Sequence, residues 1–106
     1  PILREADGLA MSSRNTLLSK EERDIAAKVP NLMQEAKHIA LTKGINEAKQ
    51  FVAIEVAKVP EMQLEYYEIC DTDLKELSTI KEAKDTIALI AVFVGKIRLI
   101  DNLIFI

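Results

Sequence analysis

Residues Arg4 to Asn15 read Arg-Glu-Ala-Asp-Gly-Leu-Ala-Met-Ser-Ser-Arg-Asn, a polar, glycine-hinged segment that ends in two hydroxyls, a guanidinium and an amide. Backbone N–H groups, hydroxyl donors and a bidentate Arg fork can gather around one polyphosphate, so the chemistry this segment suits is nucleotide handling. Taken alone, Met11-Ser12-Ser13-Arg14-Asn15 also fits a plain polar loop, because Ser and Asn are usual cap and turn residues. Asn15 itself reads as a local cap.

No other cluster is arranged for chemistry. His38 stands in a helical stretch with no acid or Cys in a ligand pattern, and reads as a surface or boundary residue. Cys70 lacks a positive neighbour or partner His and reads as a buried or half-buried strand thiol. Strand alternation would split Glu61, Glu65, Glu68, Asp71 and Asp73 between two faces, which makes them a solvated acidic edge; no metal site is expected. Tyr66 and Tyr67 should point to opposite faces, one packed and one exposed. Arg98 and Asp101, three apart on a strand, should also face opposite ways and form no salt bridge. The pair Asp101-Asn102 inside an apolar run is expected to mark a bulge or to satisfy buried backbone groups, so that its substitution destabilises the domain rather than alters nucleotide affinity.

A chain of 106 residues fits one small domain with a real core. Its composition, 49% hydrophobic and 29% charged, is that of a globular protein, and a net charge of -3 argues against a phosphate backbone as partner. No nucleic acid partner is expected. The longest apolar run, Ile87 to Val94, is far short of the ~20 residues a membrane-spanning helix needs and reads as a buried strand. No secretory signal pattern opens the chain, and a single cysteine suits a reducing, cytoplasmic setting. A start at Pro1 without methionine and an end at Leu103-Ile104-Phe105-Ile106 suggest an excised fragment.

The elements that would position the polar segment follow from pattern. Pro1 to Arg4 suits a short extended piece, and Asp7-Gly8 a turn. Ser19-Lys20-Glu21-Glu22 is a capping box that starts a helix at Lys20. Ile25, Ala26, Val29, Leu32, Met33, Ala36 and Ala40 then form one apolar stripe, broken or kinked by Pro30 near Lys28 or Val29 and stopped at Gly44. Asn46 could cap a second helix that carries Ala48, Phe51, Val52, Val56 and Val59 and ends before Pro60. From Met62 the period becomes two: Met62, Leu64 and Tyr66 alternate with Gln63, Glu65 and Tyr67 as in a half-buried strand. Asp71-Thr72-Asp73 reads as a turn and cap before a short helix through Leu77. Thr86 to Val94 and Ile97 to Phe105 flank Gly95-Lys96, which predicts a hairpin with a type II′ turn. The order gives an α+β fold, helices on one face of a three-stranded antiparallel sheet with an N-terminal loop.

The run Pro1 to Asn15, with Leu18-Ser19 and Glu21-Glu22-Arg23, closely resembles the pantothenate synthetase (pantoate-β-alanine ligase) family. Leu64-Glu65-Tyr66 with Glu68 and Asp71, and Arg98-Leu99-Ile100-Asp101-Asn102, extend the resemblance in order along the whole chain. Departures are Leu3 for a usual Val, Thr16-Leu17 for a basic-aromatic pair, and Lys20 where Pro often stands.

The resemblance implies that residues 1–106 are the C-terminal lid domain of a larger two-domain ligase. In that family ATP and pantoate give pantoyl adenylate and pyrophosphate, and the β-alanine amine then displaces AMP to give pantothenate. Carried over by position, residues 4–15 are the phosphate-binding loop. Met11, Ser12, Ser13 and Arg14 close over the ATP phosphates, Arg14 is the catalytic charge, and the Leu3 backbone lies at the adenine. The resemblance further implies Mg2+ held mainly by ATP and the N-terminal domain, a homodimer of the full-length enzyme, and no activity in this chain alone. The N-terminal half carries the family's His-x-Gly-His-type motif and pantoate site, whereas this chain has one histidine. The competing reading is a non-enzymatic module that associates through a sheet edge or apolar face.

Overall fold

The Ser19 hydroxyl accepts the Glu22 N–H at 3.1 Å while the Ser19 N–H donates to the Glu22 carboxylate at 2.9 Å, so α1 (Lys20–Ala26) begins on the expected capping box. The computed structural model describes residues 3–80 and 83–105; Pro1 and Ile2 of the expected extended segment, and Ile106, lie outside the described residues. Ala27 separates α1 from α2 (Lys28–Thr42). The break thus falls one residue before the expected Lys28–Val29, and Pro30 sits in the first turn of α2, where its missing N–H has no intrahelical partner to lose.

Gly44, at φ +110°, serves both neighbouring helices. Its N–H donates to the Ile39 and Ala40 carbonyls and closes α2, while its carbonyl accepts the Ala48 N–H and opens α3 (Ile45–Ala57). The cap position is therefore already occupied, and Asn46, expected there, lies inside the first turn of α3.

Strands β1 (Met62–Asp71), β2 (Thr86–Val94) and β3 (Ile97–Ile104) form an antiparallel sheet in the order β1-β2-β3. Gly95 turns at φ +60° and Lys96 has no positive φ, the combination a type II′ turn needs. The alternation expected for β1 fails midway. The pairing register shifts between Leu64 and Tyr66, so Glu65 bulges, and the inward set becomes Met62, Leu64, Tyr67 and Ile69. Tyr67 packs and Tyr66 is half-buried. The bulge lies here rather than at Asp101-Asn102, where pairing with β2 is regular.

The short helix expected through Leu77 is absent. The Asp71 carboxylate accepts the N–H groups of Asp73 and Lys75 at 2.9 and 3.0 Å, a tight local turn that competes with helix nucleation. The chain then doubles back, and the Leu77 N–H reaches the Ile69 carbonyl.

Met33 and Ala36 of α2 and Val52 and Val56 of α3 join Tyr67, Ile69, Ile90, Val92 and Leu99 in one core, with the helices on a single face of the sheet. On the other face Ile100 and Ile104 are exposed. Among the described residues, no helix is long and apolar enough to cross a membrane.

Candidate functional site

The N-terminal segment is an ordered knot of polar contacts rather than a loose loop. Arg4 pairs with Ala10 as an antiparallel bridge, the Met11 N–H donates to the Leu3 carbonyl at 2.8 Å, and Glu5 to Leu9 turn back through Gly8 at φ +91°. A β-carbon on Gly8 would approach Pro30 to 3.4 Å, so the turn sits directly on α2. Leu9 drives into the core.

Charge pairs fix this turn from both sides. Arg23 of α1 donates to Asp7 at 2.9 and 3.1 Å and to Glu5 at 3.1 Å, and the hydrogen bonds from Arg23 hold the Asp7 carboxyl below the usual carboxylate range. Arg4 donates both terminal nitrogens to Asp101 of β3, each at 2.9 Å, and reaches the Gly8 and Asn102 carbonyls at 2.8 and 3.1 Å. Asp101 also accepts the Asn102 N–H at 2.7 Å.

From Ser12 the chain enters a 3₁₀ turn over Ser13–Leu17, started by the Ser12 hydroxyl, which accepts the Arg14 N–H at 3.1 Å. Asn15 is not the cap. It is buried, and its amide nitrogen donates to Glu5 and to the Ala10 carbonyl, which ties the 3₁₀ turn to the preceding one.

The residues expected to bind phosphate therefore lie together, with Leu3 joined to Met11 immediately before Ser12. Ser12, Ser13 and Arg14 are exposed, as are Leu3 and Met11 at 77% and 55%, so none of these side chains is consumed by packing. Arg4, Arg23 and Arg98 are all ion-paired, whereas the Arg14 guanidinium has no partner among the described residues. The arrangement offers one uncommitted cation and two hydroxyls on a braced turn, a donor set for an anion.

Elsewhere, Arg98 binds Glu65 through two bonds of 2.9 Å and not Asp101, in keeping with their opposite faces. Of the acids expected to form a solvated edge, Glu65 pairs with Arg98 and Glu68 with Lys49. His38 is exposed, and Cys70 is a buried thiol pushed up by desolvation first and then by Glu68. Among the described residues, no three His, Cys, Asp or Glu side chains gather as a metal site would. What sequence reading missed is the pairing of Arg4, in the expected loop, with Asp101. They lie 97 positions apart, and no local pattern links them.

The family model of pantoate-beta-alanine ligase matches residues 1–104. The chain is 41% identical over 104 residues to a pantothenate synthetase of Bacteroides fragilis, covering 97% of this chain and 37% of that protein. It is 46% identical over 105 residues to the pantothenate synthetase of Flavobacterium psychrophilum, covering 96% and 36%. The crystal structure of pantothenate synthetase from Thermus thermophilus superposes with a TM-score of 0.84 at 33% identity, over 99% of this chain and 38% of that one. The chain thus spans a little over a third of the length of these relatives. A match along nearly the whole chain, shared by sequence and fold, places it in the pantoate-beta-alanine ligase family.

Proposed function

We propose that this chain is the C-terminal lid domain of an ATP-dependent, AMP-forming ligase that joins pantoate to β-alanine through pantoyl adenylate. The observation that carries the reading is Arg14: exposed, without an ion-pair partner among the described residues, and preceded by two exposed serines on a braced turn. Attack of the pantoate carboxylate on the α-phosphate gathers negative charge on the phosphoryl oxygens and the departing pyrophosphate. Donors aimed there stabilise the transition state more than the ground state.

Arg14 supplies the charge, and Ser12 and Ser13 supply hydroxyl and backbone donors. Leu3, whose backbone is assigned to the adenine, accepts the Met11 N–H and so links the two ends of the nucleotide. The carboxylates nearest this segment, Glu5 and Asp7, are engaged by Arg23, so the residues here do not suit a divalent cation, and no step of this chain runs through Mg2+.

The full-length relatives carry the remainder of the site, which explains why the isolated chain should be inactive and bind ATP weakly. The test is reconstitution. The chain is added to the remaining portion of a family ligase with ATP, pantoate and β-alanine, and pantothenate is measured. Formation that requires both pieces supports the reading; a stable complex that makes none overturns it.

A further inference from the structure

Asp101 is the one charged side chain among the described residues that is buried, with 3% of its side chain exposed against 33% for Arg4. A carboxylate on the inner side of a sheet edge carries a desolvation cost and needs compensation. It receives three N–H donors: two from Arg4 and one from Asn102. Arg4 in turn directs further donors to the Gly8 and Asn102 carbonyls. The effect is to clamp the first turn of the chain to the middle of β3.

Two short links lead from that clamp to the phosphate-facing residues. Arg4 bridges Ala10, and the Met11 N–H is held by the Leu3 carbonyl, immediately before Ser12. Behind Arg14, Asn15 is bonded to Glu5 and Ala10 of the same turn. Ser12, Ser13 and Arg14 are therefore held at both ends by residues of a turn that Arg4 clamps to β3 on one side and Arg23 holds to α1 on the other.

We infer that Arg4 and Asp101 are positioning residues for adenylate formation: their bidentate pair sets the placement of Ser12, Ser13 and Arg14 without touching the nucleotide. This rests on the function proposed above. A misplacement of about 1 Å at a reacting centre can cost about 10²-fold in rate, and a lost fork would permit such a shift.

The test uses a ligase of the relatives' full length that carries this chain, with Arg4→Lys, which keeps the charge but not the fork, and Asp101→Asn, which keeps the shape but not the charge. Assays are run where circular dichroism shows each variant folded. Pyrophosphate release from ATP and pantoate should fall about 10- to 10²-fold in both variants. Attack of β-alanine on supplied pantoyl adenylate, in which no pyrophosphate has to depart, should slow much less. Amide hydrogen exchange over residues 11–18 should quicken in the same variants.

Equal slowing of both half-reactions would mean a merely structural pair and overturn the inference. So would an unchanged first half-reaction beside an Arg14→Ala variant that loses it. If Arg14→Ala is unchanged as well, the phosphate-loop reading itself falls.

Discussion

Arg14 and Tyr67 both lack side-chain hydrogen-bond partners among the described residues, in opposite surroundings. Arg14 is exposed and remains hydrated; Tyr67 is buried with its hydroxyl unsatisfied, which costs stability. Burial raises the Tyr67 phenol above its ordinary value of about 10, so the unfolded chain ionises first and stability drains away as pH rises beyond about 10. Tyr67→Phe should stabilise the chain by about 1 kcal/mol at neutral pH and reduce that alkaline loss. Urea unfolding at pH 8 and pH 11 checks this, and a destabilised Tyr67→Phe would show that the hydroxyl has a partner after all. At this scale the sequence reveals residue types but not pairings. Ser12, Ser13 and Arg14 stand out because they are contiguous, whereas Arg4 and Asp101 acquire meaning only when β3 returns to the N-terminal turn.

Elements were legible wherever the signal is local. The capping box at Ser19, the stop at Gly44 and the Gly95-Lys96 turn each need only a few neighbouring residues, and all three are formed. The misreadings share a cause, competition among local partners. Gly44 takes the cap role from Asn46, the Asp71 carboxylate folds a turn where a helix was expected, and the Glu65 bulge reverses the alternation beyond it. Gly95 shows how tightly elements interlock: its φ of +60° disfavours a side chain, and a β-carbon would fall on the Glu22 carboxylate that caps α1. Gly95→Ala should therefore cost roughly 1 to 2 kcal/mol, mainly the left-handed penalty, since the Glu22 carboxylate can swing aside while the Ser19 hydroxyl keeps its cap. Ser19→Ala should cost about 1 kcal/mol. Thermal unfolding checks both, and an unchanged Gly95→Ala would show that the hairpin turn yields without strain.

For the whole molecule, the change from a helical to a two-residue period at Met62 was enough to order helices before strands and to predict the α+β layer. The site was legible only in part, because it joins the first and last segments of the chain, and the relatives extend well beyond the part that this chain spans. In a ligase of the relatives' length carrying this chain, the rate of pyrophosphate release from ATP and pantoate is compared between wild type and Arg14→Ala. The expected loss is about 10²- to 10³-fold, roughly 2.7 to 4 kcal/mol of transition-state stabilisation. Equal rates in the two folded enzymes would contradict it.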